Sequence, residues 1–289
     1  MKDFKDKIAV ITGAGSGIGY GLAEKCVREG MKVVLAEINE RTLKRAEKKL
    51  KKIGGTILSL KTDVSKVEDI KNLAKQTFDT FGAVHLLFNN AGVTNPKYTW
   101  NCTVKDWQWQ LGVNLFGVIY GINVFSPIMM AQDFESIIVN TSSIEGLIFG
   151  SGPGGVIYGA SKHAVVSISE TFKMELEQLD PPSKLKVAVL CPGWISTKIF
   201  STTNPNRPEE LKNTPEENIE DKKIENSITM LKQALEGNRL PMLPSKCADI
   251  VFNAIINEEF YILTHNDPVL KNRIRERFDR ILKAFDILN

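Results

Sequence analysis

Ile8-Ala9-Val10-Ile11-Thr12-Gly13-Ala14-Gly15-Ser16-Gly17-Ile18-Gly19 begins as an unbroken apolar run and ends as a glycine-rich turn. The run does not alternate polar with apolar residues, so it reads as a strand covered on both faces. From Ile18 to Arg28 the apolar residues recur at helical spacing. Strand, tight turn and helix in direct succession bring backbone N–H groups and a helix N-terminus to the strand's carboxyl end. Such an end attracts the pyrophosphate of a dinucleotide. Gly13, Ser16, Gly17, Ile18 and Gly19 are the candidate contacts. A glycine-rich run is a weak signal by itself, and a purely structural turn is the competing reading.

The order of the remaining elements weighs against that competitor. Val33-Val34-Leu35-Ala36 is a second strand, and a helix follows from Glu40 to Ile53. Ile57 to Leu60 and Leu86-Leu87-Phe88 are strands separated by a helix from about Val67 to Phe81. A helix is expected over Val104 to Met130, with limits blurred by Gly112, Gly117, Gly121 and Pro127. Ile137-Ile138-Val139 is a strand, Val156 to Leu179 a helix that stops before Asp180-Pro181-Pro182, and Val187 to Leu190 a strand. A late strand, Phe260 to Leu263, and a charged amphipathic helix from about Pro268 to Leu288 end the chain. Apolar strands joined by crossover helices predict an α/β fold: a doubly wound, Rossmann-like parallel sheet of about seven strands with helices on both faces. Residues 1–289 read as one domain, without internal repeats.

One stretch departs from this rhythm. Ser201 to Asp221 is polar and too long for an ordinary connector. Ile224, Ile228, Leu231 and Leu235 then recur at helical spacing before Pro241. Ligands of doubly wound sheets bind beyond the strand carboxyl ends. Residues 196–240 therefore read as a substrate lid, with a disordered insertion as the alternative.

Composition excludes several classes of function. Net charge is +3 and 43% of residues are hydrophobic, which makes no electrostatic case for nucleic acid or an anionic membrane. The basic cluster from Arg41 to Lys52 carries Leu43, Ala46, Leu50 and Ile53 at helical spacing, and reads as a solvated helix. No run approaches the roughly 18 apolar residues that a membrane span needs. The charged start Met1 to Lys7 does not resemble a signal peptide. Cys26, Cys102, Cys191 and Cys247 form no Cys-x-x-Cys pair, so reduced thiols and a cytoplasmic location are expected. His85, His163 and His265 have no metal-ligand spacing, and no metal is expected.

Glu37 ends the second strand, 18 residues after Gly19. A carboxylate there accepts hydrogen bonds from both adenosine ribose hydroxyls and repels a 2′-phosphate, which favours NAD. Arg41 keeps NADP open as the alternative. Further along, Tyr158 and Lys162 are four apart on a helix, and Ser142-Ser143 lies upstream. An ammonium beside a phenol favours the phenolate and brings an acid/base tyrosine towards neutrality. The pair alone is close to a chance match. His163, beside Lys162, is read as a helix-surface residue rather than a base.

Together these pieces resemble the short-chain dehydrogenase/reductase family of the non-extended type over roughly residues 5 to 200. Thr12 to Gly19 resembles its cofactor turn, Asp63-Val64 its adenine-contacting pair, and Asn89-Asn90-Ala91-Gly92 its segment beside the cofactor. Asn114 matches the asparagine of its catalytic tetrad, Asn140 to Ser143 the strand bearing its serine, and Tyr158 to Lys162 its Tyr-x-x-x-Lys. Pro192-Gly193-Trp194-Ile195-Ser196-Thr197 resembles the segment that touches the nicotinamide carboxamide. The resemblance implies a tetrad of Asn114, Ser143, Tyr158 and Lys162, with cofactor contacts from Asp63, Val64, Asn90, Ala91, Gly92, Pro192, Gly193, Ile195 and Thr197. It further implies that Tyr158 moves the proton and Lys162 holds the nicotinamide ribose. Ser143 would bind the substrate oxygen, and Asn114 a water leading from Lys162 to solvent. Ser143 precedes Tyr158 by 15 residues, longer than the family's usual spacing, with the excess in Gly150 to Gly155. Ser142 stays open as the alternative serine.

The implied activity is NAD-dependent interconversion of a secondary alcohol and a ketone. A bulky, hydrophobic substrate and a homodimer or homotetramer are expected. An NAD-using epimerase or dehydratase, and a dinucleotide sensor without activity, are the alternatives.

Overall fold

A computed structural model describes residues 1–150, 152, 154–199, 204–217 and 241–286. β1 (Ile8–Thr12) lies between β2 (Lys32–Glu37) and β4 (Leu86–Asn89), and all its pairings are parallel. With β3 (Thr56–Lys61), β5 (Ser136–Thr141), β6 (Leu185–Cys191) and β7 (Tyr261–Leu263), the sheet runs β3-β2-β1-β4-β5-β6-β7. The direction of winding reverses between β1 and β4. A crevice therefore opens at their carboxyl ends, where doubly wound sheets bind ligands.

Alternate residues of each strand serve opposite layers. Ala9 and Ile11 pack with Leu22 and Cys26 of α1 (Gly17–Arg28), Leu43 and Leu50 of α2 (Glu40–Lys52), and Val251 and Phe252 of α7 (Pro244–Ile256). Ile8 and Val10 pack with Ile70 and Leu73 of α3 (Val67–Phe81), Phe125 of α5 (Gly117–Ala131) and Val165 of α6 (Val156–Glu177). Each such side chain, fully buried, contributes about 1.5–3 kcal/mol. Exposed helical ion pairs such as Lys51–Glu47 and Lys71–Glu68 contribute roughly 0.5 kcal/mol or less. The two apolar layers hold the fold.

The helix expected over Val104 to Met130 is continuous but changes its winding. α4 (Val104–Leu111) passes into a π turn (Gly112–Phe116) and then α5. Its glycines are places of close approach rather than breaks: a Cβ on Gly121 would lie 2.1 Å from Asn89 Oδ1. By length and composition, Val104–Ala131 would pass as a membrane span, contrary to the expectation from apolar runs. Here it packs against α3, α6 and the sheet.

α7 was not expected. The turn Pro241-Met242-Leu243-Pro244 reads as a breaker, yet Pro244 occupies the first helical position, where a missing N–H costs nothing. α8 (Pro268–Asp286) closes the described chain. The amphipathic helix expected around Ile224 to Leu235 lies outside the described residues, as do Ser151 and Pro153 of the glycine loop.

Candidate active site

The turn after β1 is built for close approach. A Cβ on Gly19 would lie 2.3 Å from the Gly13 carbonyl oxygen, and one on Gly15 would lie 2.7 Å from Glu37 Oε2. Thr12 ties the turn to β4: its Oγ1 accepts from the N–H groups of Asn90 at 2.9 Å and Ala91 at 3.0 Å. Asn90 Nδ2 returns a bond to the Thr12 carbonyl at 2.9 Å. Glu37 is nearly buried at the end of β2. Its carboxylate accepts from Gly15 N at 3.1 Å and Asn39 N at 3.0 Å. Burial pushes its pKa up, against the pull of these N–H donors.

A cavity of about 300 Å³ runs from here to Tyr158. Gly13, Ser16, Gly17, Ile18 and Glu37 line one end, with Asp63 and Val64 beside them. Asn90, Ala91, Gly92, Pro192 and Thr197 also line the cavity. Asp63 is braced by Ser65, whose hydroxyl donates to Oδ1 at 2.6 Å. The Ile195 side chain packs into the layer of α1 and α7, and its backbone bridges Met242. Its apolar side chain is worth more there than in a polar cleft. Gly193 backs onto His265, and its N–H donates to Thr264 Oγ1 at 3.0 Å.

At the far end, Lys162 Nζ lies 5.6 Å from the Tyr158 ring centroid and donates to the Thr141 carbonyl at 2.8 Å. Ser143 Oγ accepts from the Glu145 N–H at 3.2 Å and lies near enough to the Tyr158 hydroxyl to act on its pKa, whereas the Ser142 hydroxyl donates to the Lys162 carbonyl at 2.7 Å. The two serines therefore do different things, and the longer spacing does not separate Ser143 from Tyr158. His163 turns back on its own helix, to the Gly159 carbonyl at 2.9 Å.

The electrostatics depart from the simple expectation. Burial pushes the Tyr158 phenol above its ordinary value, the Glu145 charge adds to this, and the neighbouring Ser143 hydroxyl opposes it. Burial also lowers Lys162 to about 8, which weakens it as a fixed cation. Asn114 departs too. Its side chain is buried and braces Val93, accepting from its N–H at 2.8 Å and donating to its carbonyl at 2.9 Å. The remaining N–H points to Ser161 Oγ at 3.2 Å. Both its N–H donors are thus committed to protein, so this amide is a brace between the β4 turn and α6.

Sequence reasoning missed one polar cluster. Asp106, fully buried in the first turn of α4, pairs with Lys97 at 3.0 Å and Arg207 at 2.7 Å. Burial pushes its carboxyl up, but the Thr103 N–H, Lys97 and Arg207 outweigh this and hold it at about 2. The pattern Thr103-x-x-Asp106 is a capping box and was a visible signal of the helix start. Among the described residues no group of three or more His, Cys, Asp or Glu is placed to hold a metal ion.

Residues 7–208 match the short chain dehydrogenase family. A CLA biosynthesis dehydrogenase/reductase of Lactiplantibacillus plantarum is 32% identical, over 95% of this chain and 94% of that protein. A cyclohexanol dehydrogenase of Acinetobacter sp. (strain SE19) is 32% identical over 199 residues, 68% of this chain and 76% of that protein. Among solved structures, a short chain dehydrogenase/reductase from Burkholderia phymatum in complex with NAD superposes with a TM-score of 0.89. It is 39% identical, over 98% of this chain and 97% of that one.

Proposed function

The chain belongs to the short-chain dehydrogenase/reductase family, and from that premise we propose that it is an NAD-dependent oxidoreductase interconverting a secondary alcohol and a ketone. The observation that carries the reading is the cavity itself. It joins a glycine cradle and a buried Glu37 at one end to Tyr158 and Lys162 at the other. The residues present fit a dinucleotide. A Cβ on Gly15 would collide with Glu37 and one on Gly19 with the Gly13 carbonyl, so the tight turn needs glycine at both, and Glu37 presents a carboxylate where ribose hydroxyls need acceptors. The NAD bound by the Burkholderia phymatum relative supports the same choice. When bound, the nicotinamide supplies the hydride acceptor or donor.

The protein's own groups manage the proton and the geometry. Tyr158 Oη takes the hydroxyl proton in oxidation and returns it in reduction. Ser143, which stands beside that hydroxyl, holds the substrate oxygen next to it. Lys162 stands over the ring and holds the nicotinamide ribose. Asn114 fixes Val93 and α6 relative to one another. Tyr158→Phe is expected to lower turnover by on the order of 10²-fold or more while NADH binding persists. Turnover near that of the unchanged enzyme would refute the assignment.

Val93, Trp109, Val113 and Ile199 line the cavity and favour a bulky, apolar substrate, in keeping with the cyclohexanol dehydrogenase relative. An absorbance screen at the nicotinamide band, crossing NAD and NADP with secondary alcohols graded by size, tests cofactor and substrate together. Preference for small polar hydroxy acids would overturn the apolar reading. Phe116, Met130 and Met174 are exposed on the π turn, α5 and α6, which supports a homodimer or homotetramer joined through these helices. A monomer by sedimentation at micromolar concentration would contradict it.

A further inference from the structure

Residues 204–217, the described part of the insertion, are bound to the body at two distant points. The first is Asp106. Besides Lys97 and Arg207, its carboxylate accepts from Thr103 N at 3.0 Å, Asn95 Nδ2 at 2.9 Å and Asn213 Nδ2 at 3.0 Å. Arg207 is itself buried. Its Nε donates to the Leu211 carbonyl at 2.6 Å, and its guanidinium stacks 5.0 Å from the Trp109 ring centroid. The second point is Asn39, just after β2, whose Nδ2 donates to Asn206 Oδ1 at 3.0 Å. Asn39 N in turn donates to Glu37 Oε1 at 3.0 Å. The segment thus spans from the end of β2 to the start of α4.

This span forms a wall of the cleft. Pro205, Asn206 and Pro208 line the cavity on one side and a separate hollow beside Lys61 and Lys66 on the other. Asn206 Oδ1 is taken by Asn39, but its Nδ2 has two N–H donors with no protein partner among the described residues. They stand at the Glu37 end, where an adenosine presents ribose oxygens and ring nitrogens as acceptors. A buried arginine held by a fully buried carboxylate is costly to displace, because separation leaves both charges unpaired in the interior.

We propose that Asn206 is a dinucleotide-binding residue, carried on a strap that Arg207 locks to Asp106, and that this strap slows release of the dinucleotide. The proposal rests on the NAD reading above. Asn206 contacts the nucleotide directly, and Arg207 is a positioning residue that acts through it. The strap serves the adenosine end, whereas a substrate lid would serve the nicotinamide end.

The test is stopped-flow fluorescence of NADH binding and release with the full-length protein. Asn206→Leu is expected to raise the NADH dissociation constant about 3–10-fold, the worth of one hydrogen bond, with Tm moved by less than about 2 °C. Arg207→Met is expected to speed NADH release about tenfold or more. Arg207→Lys, which keeps a cation opposite Asp106, should recover part of the slow release. A merely structural role would lower Tm and leave the release rate of the folded fraction unchanged. If Arg207→Met does not fold, Asn206→Leu alone decides. Release at the unchanged rate in the folded variants overturns the strap and leaves the NAD reading standing. Failure of the unchanged protein to bind NADH overturns both.

Discussion

Lys162 Nζ stands 5.6 Å from the centre of the Tyr158 ring and is anchored to the Thr141 carbonyl at 2.8 Å. Lys162 is buried and Tyr158 partly so, and burial works against the charged form of each. It raises Tyr158 above its ordinary value and lowers Lys162 from 10.5 to about 8. The site is arranged for chemistry at a cost in stability.

That cost is measurable. The folded pKa of Lys162 lies below its unfolded value, so the folded protein binds this proton less readily than the unfolded chain. Folding is therefore disfavoured at neutral pH, by about 2–3 kcal/mol, and the penalty fades as pH rises past 8 towards 10.5. Losing the bond to Thr141 returns about 1 kcal/mol. Lys162→Met is thus expected to raise Tm at pH 7 by about 2–4 °C while turnover falls about 10²-fold or more. The gain in Tm should vanish near pH 10. A variant less stable than the unchanged protein at pH 7 would show that burial does not dominate the ammonium.

The neighbouring serines separate catalysis from support. Ser143 stands beside the Tyr158 hydroxyl, while Ser142 donates to the Lys162 carbonyl. Ser143→Ala is expected to cost about 10²-fold in turnover with little change in Tm. Ser142→Ala should cost about 1 kcal/mol of stability and much less turnover. Steady-state kinetics and thermal melts of both variants check this, and the opposite assignment would exchange the two phenotypes.

Chain order made much of this legible. Strand, turn and helix around Gly13 to Gly19, and Glu37 at the end of β2, are local patterns with local physical causes, and the sheet that joins them follows from their succession. Tyr158 and Lys162 share a helical face by spacing alone. Asp106 and Arg207 were hidden because they lie 101 residues apart and meet only after folding. The capping box announced where α4 begins but not what its carboxylate would hold. The direction of the Tyr158 shift was hidden as well, since a four-residue spacing reports the nearby ammonium and not the loss of water around both groups. Asn114 matched by motif, yet its bonds to Val93 and Ser161 depend on how the β4 turn meets α6.

Glu37 gives a test of cofactor choice. Its two carboxylate oxygens are fixed by Gly15 N and Asn39 N, so the charge cannot swing away from an incoming ribose. Glu37→Gln removes the charge and places an amide N–H against one of these donors. The dissociation constant for NADH is expected to rise about tenfold, and the preference over NADPH to fall by at least as much. Paired fluorescence titrations with the two reduced cofactors measure both. An unchanged preference would move the discrimination to another residue.

The opposite, amino-terminal end of the strands carries a group whose protonation is expected to weaken the fold in acid. His85 precedes β4, and its Nδ1 accepts from the Ile8 N–H at 3.1 Å, which requires the neutral ring. The ring also stacks on Phe134, with centroids 4.5 Å apart. Burial, helped by the charge of Lys7, lowers its pKa from 6.5 to about 4. The folded value lies below the unfolded one, so the stabilisation is complete above about pH 6.5 and is lost as pH falls through about 4. With allowance for partial exposure, the loss is on the order of 2 kcal/mol. His85→Asn retains an acceptor for Ile8 without a titrating ring. It is expected to flatten the fall in Tm between pH 6.5 and 4, measured by thermal melts across that window, with activity at pH 7 unaltered because His85 is remote from the cleft. An acid arm as steep as that of the unchanged protein would assign the loss to other groups.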